Sequence, residues 1–173
     1  ALLQKPNRVV ITGDLIDKLA WLPQVCERLT TFAKQIPDGV DFILGNHEYH
    51  HDVNKVLDAL KRNTPMNILV NSNIQIMGGK QPVYIAGVAY DNDRKKDNRE
   101  AMINKALSGI PDYAFVILLA HHPEFFEESI ERKIPLTLSG HTHGGQIVFM
   151  GMPLVPTGTP YTKGRYVEEQ SVC

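Results

Sequence analysis

Four short clusters hold the residues best equipped for chemistry: Gly13-Asp14-Leu15-Ile16-Asp17, Gly45-Asn46-His47-Glu48, His121-His122-Pro123, and Gly140-His141-Thr142-His143-Gly144-Gly145-Gln146. Asp14 offers a carboxylate able to bridge two cations, and Gly13 lets the backbone turn in front of it. Read by itself, Asp14 is as readily the cap of a following helix. Asp17 reads as a cap or as support for the site. Asn46 offers a neutral, hard carbonyl oxygen, although Gly-Asn also favours a turn. His47 has the chemistry of a general acid or of a group that steadies developing negative charge, and Glu48 reads as support from behind. Two consecutive histidines in a strand point to opposite faces, so His121 is the candidate ligand and His122 a surface or supporting residue. In an extended stretch, positions i and i+2 share a face, so His141 and His143 are expected to present two imidazoles to one site. His50 and His51 read as surface residues, with substrate contact as the alternative.

Together these groups form a carboxylate, amide and imidazole set without thiolates. Such a set suits Mn²⁺, Fe or Zn²⁺, with Mn²⁺ the leading expectation. It argues against a structural zinc site and suits hydrolysis by metal-activated water.

Each cluster follows a short apolar run: Val9–Ile11, Val40–Leu44, Phe115–Ala120 and Ile134–Leu138. Runs of this kind read as strands buried on both faces. Amphipathic helices are expected from Pro23 through Ile36, over Val53–Leu60 and over Ala101–Leu107, with Gly109 as a C-terminal cap. The charged lead-in from Asp91 to Glu100 reads as solvated surface. Asn67–Val70, Ile74–Met77 and Val83–Val88 read as three short strands, a meander inserted in a mixed sheet with Gly78-Gly79 as a turn. The class is α/β with a single domain over residues 1–173. Ligands of open α/β sheets bind beyond the carboxyl ends of the strands, where all four clusters sit.

The whole-chain numbers exclude several classes. With 173 residues, 43% hydrophobic and 21% charged, the chain can bury a real core and is neither disordered nor fibrous. A formal net charge of −1 leaves no electrostatic footprint for nucleic acid, and none is expected as a partner. No apolar run approaches the ~20 residues of a membrane span. Two cysteines, Cys26 and Cys173, make no disulfide framework. There is no initiator Met, and the chain reads as a fragment trimmed at the N-terminus and perhaps the C-terminus.

In their order, these clusters resemble the calcineurin-type metallophosphoesterases. Four of that family's five motifs stand in sequence, from Gly13 to Asp17, Gly45 to Glu48, His121, and Gly140 to His143, over nearly the whole chain. The stretch from Gly140 to Ile147, with His121-His122-Pro123-Glu124 before it, is similar to a bacterial branch of phosphodiesterases. Members of that branch are often membrane-associated, and in some the substrate is a nucleotide-linked lipid precursor. The resemblance implies a four-layer α/β/β/α sandwich with a dinuclear centre between two sheets. Asp14 resembles the bridging ligand, Asn46, His121 and His141 the other ligands of the second metal, His143 a ligand of the first, and His47 the catalytic histidine. Two cations roughly 3.5–4 Å apart would activate a hydroxide for in-line attack.

The fifth motif, Asp-x-His, is absent from the 173 residues. The chain is therefore expected to hold one metal well and a second poorly, with weak hydrolysis and an open sheet edge nearby. The implied function is metal-dependent hydrolysis of a phosphodiester or phosphomonoester; the alternative is a weakly active or non-catalytic scaffold of the same fold, with a nuclease as a third reading. The implied setting is cytoplasmic or peripherally membrane-associated in a bacterium, with oligomeric state open. Specificity is expected from loops His50–Asp52, Asp91–Asn98, Glu124–Glu131 and Gly151–Tyr161.

Overall fold

The computed structural model describes residues 2–90, 95–146, 148–149, 152–153 and 158–173, with backbone alone for the two pairs 148–149 and 152–153. Two sheets organise the chain. In the first, β1 (Val9–Ile11), β2 (Val40–Phe42) and β3 (Asn67–Ile68) run parallel in that order, with Val9 beside Val40 and Asp41 beside Asn67. In the second, β4 (Ser72–Met77) pairs antiparallel with β5 (Val83–Gly87). Then β5, β6 (Phe115–Ala120) and β7 (Leu136–Ser139) run parallel. The short ribbon β8 (Val148–Phe149) and β9 (Met152–Pro153) stands apart. The second sheet is extended past β7 by β11 (Ser171–Val172) and then β10 (Val167–Glu168).

Helices cover the outer faces. Helix α1 (Leu22–Ala33) starts with Pro23 in its first turn, where the missing N–H has no partner to lose. It buries Leu22, Cys26, Leu29 and Ala33. Helix α3 (Val53–Asn63) follows the one-turn α2 (Asn46–Tyr49) and is capped by Asp52, whose Oδ1 accepts from the Lys55 N–H at 3.2 Å. Val56 and Leu60 of α3 join the α1 residues against Val40 and Phe42. On the opposite side, α4 (Lys96–Leu107) and α5 (Phe125–Glu131) pack Ile103, Ala106 and Phe125 against Ala86, Val116 and Leu118. Between the sheets, Val10, Ile43 and Leu69 meet Ile74, Ile85, Ile117, Leu119 and Leu138. Three apolar layers separating helix, sheet, sheet and helix make the expected four-layer α/β/β/α sandwich.

Several details differ from the sequence reading. The three middle strands do not form one meander. Asn67–Ile68 completes the first sheet, and Ser72 opens the second, so the chain crosses between sheets within four residues. β1 is half-buried because β2 is its one partner among the described residues. Helix α4 begins at Lys96, before the apolar stripe, and Arg99 of the charged lead-in is buried. Residues Phe125–Glu131, read as part of a loop, are α5. Residues 91–94, 147, 150–151 and 154–157, which include parts of two expected specificity loops, lie outside the described residues.

Arg99 lies against Glu128, a fully buried glutamate of α5. Its Nε donates to Glu128 Oε1 at 2.7 Å, tying α4 to α5. Burial nonetheless pushes the Glu128 carboxyl above its ordinary value, against the pull of Arg99. A raised folded pKa means the folded chain holds this proton more tightly than the unfolded chain. The stability drawn from Glu128 is therefore largest at low pH and falls as pH rises from the unfolded value through the folded one. Glu128→Gln, which has no such proton, is expected to lose less stability than wild type as pH rises above 4.5 in urea melts. Parallel profiles would refute this.

Candidate metal centre

Each cluster begins where its strand ends. β1 runs into Thr12-Gly13-Asp14, β2 into Ile43 to Asn46, β6 into His121-His122, and β7 into Gly140-His141. Asp14 and Asn46 therefore come from the first sheet, and His121 and His141 from the second. Their polar atoms meet across the gap. His121 Nε2 lies 2.9 Å from Asn46 Oδ1 and 3.4 Å from Asp14 Oδ1, while His141 Nδ1 lies 2.9 Å from Asn46 Oδ1 and 3.2 Å from His121 Nε2.

The hydrogen bonds behind these atoms fix what each presents. His121 Nδ1 donates to the Thr12 carbonyl at 2.7 Å. In the neutral ring that leaves Nε2 with a bare lone pair, aimed at two oxygens that also carry lone pairs. A backbone carbonyl holding the far nitrogen is the usual arrangement behind a metal-bound imidazole. Asp14 Oδ1 accepts the His47 backbone N–H at 3.1 Å. Burial pushes the Asp14 carboxyl up, but the adjacent His121 ring in its protonated form, the His47 N–H and the charge of a protonated His47 pull harder, holding it at about 2. The carboxylate is thus anionic at neutral pH. Convergent carboxylate and amide oxygens with imidazole nitrogens fit a divalent cation of the Mn²⁺, Fe or Zn²⁺ kind.

Glu48 builds the frame. Its carboxylate is fully buried and accepts four backbone N–H groups. Oε1 takes Leu15 at 2.6 Å and Ile16 at 2.8 Å; Oε2 takes Gly45 at 2.7 Å and Asp14 at 3.0 Å. One side chain thereby clamps the two loops of the first sheet together. Their approach is close enough to demand glycine. A Cβ on Gly13 would stand 2.7 Å from Gly45 Cα, and one on Gly45 would stand 2.6 Å from the Asp14 backbone nitrogen.

A profile of the calcineurin-like phosphoesterases matches residues 2–145. The chain belongs to that family. It is 37% identical over 170 residues to an uncharacterised metallophosphoesterase of Campylobacter jejuni, covering 95% of this chain and 42% of that protein. An uncharacterised metallophosphoesterase of Aquifex aeolicus is 34% identical, over 88% of this chain and 56% of that protein. A zebrafish transmembrane protein with a metallophosphoesterase domain is 30% identical, over 82% of this chain and 34% of its own length. The chain thus spans about half the length, or less, of these relatives. No helix among the described residues is long and apolar enough to cross a membrane.

The other candidate residues of this chain fall into two groups. Asp17 is drawn to His47, and His122 to the cluster itself. Asp17 Oδ1 accepts from His47 Nδ1 at 3.1 Å. His122 does not point away from His121. Both rings are buried, and His122 stacks on His141 with centroids 4.1 Å apart. The alternation argument fails because β6 ends at Ala120, so neither histidine is in a strand. His121, His122 and His141 in fact place three ring nitrogens within 4.8 Å of one another. Tyr90, which sequence reasoning passed over, sets its ring edge against His122 at 5.1 Å.

His143 is not one of the three rings His121, His122 and His141 that meet. The i, i+2 argument requires extended backbone, but His141 and His143 both take positive φ, 68° and 51°. The chain turns at each of them, and His143 is exposed on a short 3₁₀ turn, His143–Gly145. His141 and His143 both border a cavity of about 440 Å³, lined also by Tyr161, Lys163 and Tyr166. His51, read as surface, hydrogen-bonds through Nε2 to the Asp17 carbonyl at 2.9 Å.

Proposed function

We propose that this chain hydrolyses a phosphate ester, using a divalent cation held by Asp14, Asn46, His121 and His141. The observation that supports this reading most directly is the meeting of those four donors, delivered by four separate strand ends, with His121 locked so that its lone pair faces the other three. A bound cation would supply Lewis acidity toward the phosphoryl group and a water made nucleophilic near neutral pH.

The protein's own residues do the rest. Asp14 contributes the negative charge that favours a cation over a proton. His47 sits next to Asn46 in sequence, with its backbone N–H on Asp14 and its Nδ1 on Asp17. That bond fixes the ring so that Nε2 is the nitrogen available to the ester. From there His47 steadies the phosphoryl oxygens or hands a proton to the leaving oxygen. The cavity beside His141 has room for the organic part of the ester. Mn²⁺ is the proposed metal, with Fe and Zn²⁺ compatible with the same donors.

The test is hydrolysis of a chromogenic bis-aryl phosphate and of the matching mono-aryl phosphate, with Mn²⁺ and with chelator. Turnover is expected with Mn²⁺ and not with chelator. His47→Ala should lower kcat by about 10²–10⁴, the usual share of a general acid. An unchanged rate would remove His47 from the chemistry. A second reading, a phosphate-binding scaffold with little turnover, is favoured by the exposure of His143 on a turn of positive φ. Metal binding without Mn²⁺-dependent turnover would support it.

A further inference from the structure

The structure assigns a role to His51: we infer that it is a positioning residue, which holds the main chain of Asp17 and through it sets the ring of His47. The inference rests on the role proposed above for His47.

The argument starts from a weakness in the Asp17–His47 contact. The Asp17 side chain is 63% exposed and that of His47 37%. An ion pair that open sets the orientation of the ring but holds it only weakly. A ring that must meet a phosphate ester within a fraction of an ångström needs a firmer hold. The Asp17 carboxylate can be firm only if its own backbone is.

Asp17 lies in an irregular loop after β1. The loop is pinned at Leu15 and Ile16 by Glu48, and Ile16 is fully buried. Past Ile16 the chain emerges into solvent. There the His51 ring reaches across, and its Nε2 meets the Asp17 carbonyl at 2.9 Å. A carbonyl can only accept, so Nε2 carries the hydrogen and the His51 tautomer is set. His51 is itself well anchored. It sits in the short link between α2 and α3, preceded by His50, whose N–H bonds to the Asn46 carbonyl at 3.0 Å, and followed by the Asp52 cap. The helical pair α2–α3 therefore grips the loop twice, through Glu48 before Ile16 and through His51 after it. The hydrogen-bond chain reads His51 Nε2–H to Asp17 carbonyl, then Asp17 carboxylate to His47 Nδ1–H.

Two variants separate this role from mere structure. His51→Phe keeps a ring and loses the donor. His51→Gln keeps a donor near the position of Nε2. The first readout needs no metal. In ¹⁵N-histidine-labelled chain at a pH where the ring is neutral, long-range ¹H–¹⁵N spectra report which His47 nitrogen carries the hydrogen, with the His47 signals assigned from His47→Ala. Wild type is expected to show His47 mainly as the Nδ1–H tautomer. His51→Phe should shift it toward a mixture, and His51→Gln should restore it. The second readout is bis-aryl phosphate hydrolysis with Mn²⁺. His51→Phe should lower kcat about tenfold with KM within about twofold, and His51→Gln should recover most of the loss.

An unchanged His47 tautomer in His51→Phe overturns the inference. So does an equal fall in kcat for both variants with the tautomer intact, which would make His51 a direct substrate contact. If wild type shows no turnover with any metal, the function proposed above fails, and the tautomer measurement still decides the positioning role.

Discussion

With a hundredfold excess of Mn²⁺ over its dissociation constant, the wild-type chain should melt about 5–10 °C higher than with chelator. Ligand at that level stabilises the folded state by about 2.7 kcal/mol, and a chain of this size gains roughly 2–4 °C per kcal/mol. Asp14→Asn should lose most of this shift. Asparagine fills the same volume, tolerates the positive φ of 58° at this position and can still accept the His47 N–H. What it lacks is the charge. A fall in affinity of about a hundredfold would leave only about 0.4 kcal/mol at the same metal concentration, a shift of 1–2 °C. Turnover should fall with it, by a factor on the order of 10³, about 4 kcal/mol of barrier. Asp17→Asn is the matching control, since it touches His47 and not the cluster. It should keep the full metal-dependent shift while lowering kcat. A full shift in Asp14→Asn would show that the cation is held elsewhere.

Glu48→Ala should destabilise the fold by about 4 kcal/mol or more, because it strands the N–H groups of Asp14, Leu15, Ile16 and Gly45 in and around a buried space. Each buried donor left without a partner costs about 1–3 kcal/mol, and water entering the vacated space recovers part of it. Against a total stability of about 5–15 kcal/mol, that loss endangers folding at 37 °C. Glu48→Gln should be nearly as harmful, since its NH₂ would face two N–H groups that need an acceptor. The single tryptophan, Trp21, is half-exposed on the approach to α1 and reports denaturant unfolding. A loss below about 1.5 kcal/mol for Glu48→Ala would sink the clamp argument.

Much of this was legible in the chain because the signals were local. An apolar run closed by a glycine and a ligand-type residue marks a strand end, and four such ends must point the same way in a parallel α/β sheet. The strands β1, β2, β6 and β7 and the convergence of their four clusters followed from that, the helices α1 and α3 from their apolar spacing, and the choice of Asp14, Asn46, His121 and His141 from the family resemblance. The failures came where a local rule met a turn. Alternation was applied to His122 one residue after its strand had ended, and i, i+2 spacing to His143 across two residues of positive φ. The crossing between sheets at residues 69–71 carries no periodicity of its own. Tyr90 and His51 gave no motif signal, because each earns its place through a partner tens of residues away.

The site lies on the seam between the sheets, and that has a mechanical consequence. Asn46 and His121 are 75 residues apart in sequence and belong to different sheets, and His141 is 20 residues beyond His121. A cation gripped by all four donors would act as a removable rivet through the seam, closing long loops of the chain much as a covalent cross-link does. Pulling it out would let the two halves shear against each other at the loop end while their shared apolar layer stays closed. Amide exchange should register this at both halves together. Protection after β2 and after β6 should rise and fall in step with metal, although those residues are distant in the chain, and the amides of α4 should not follow.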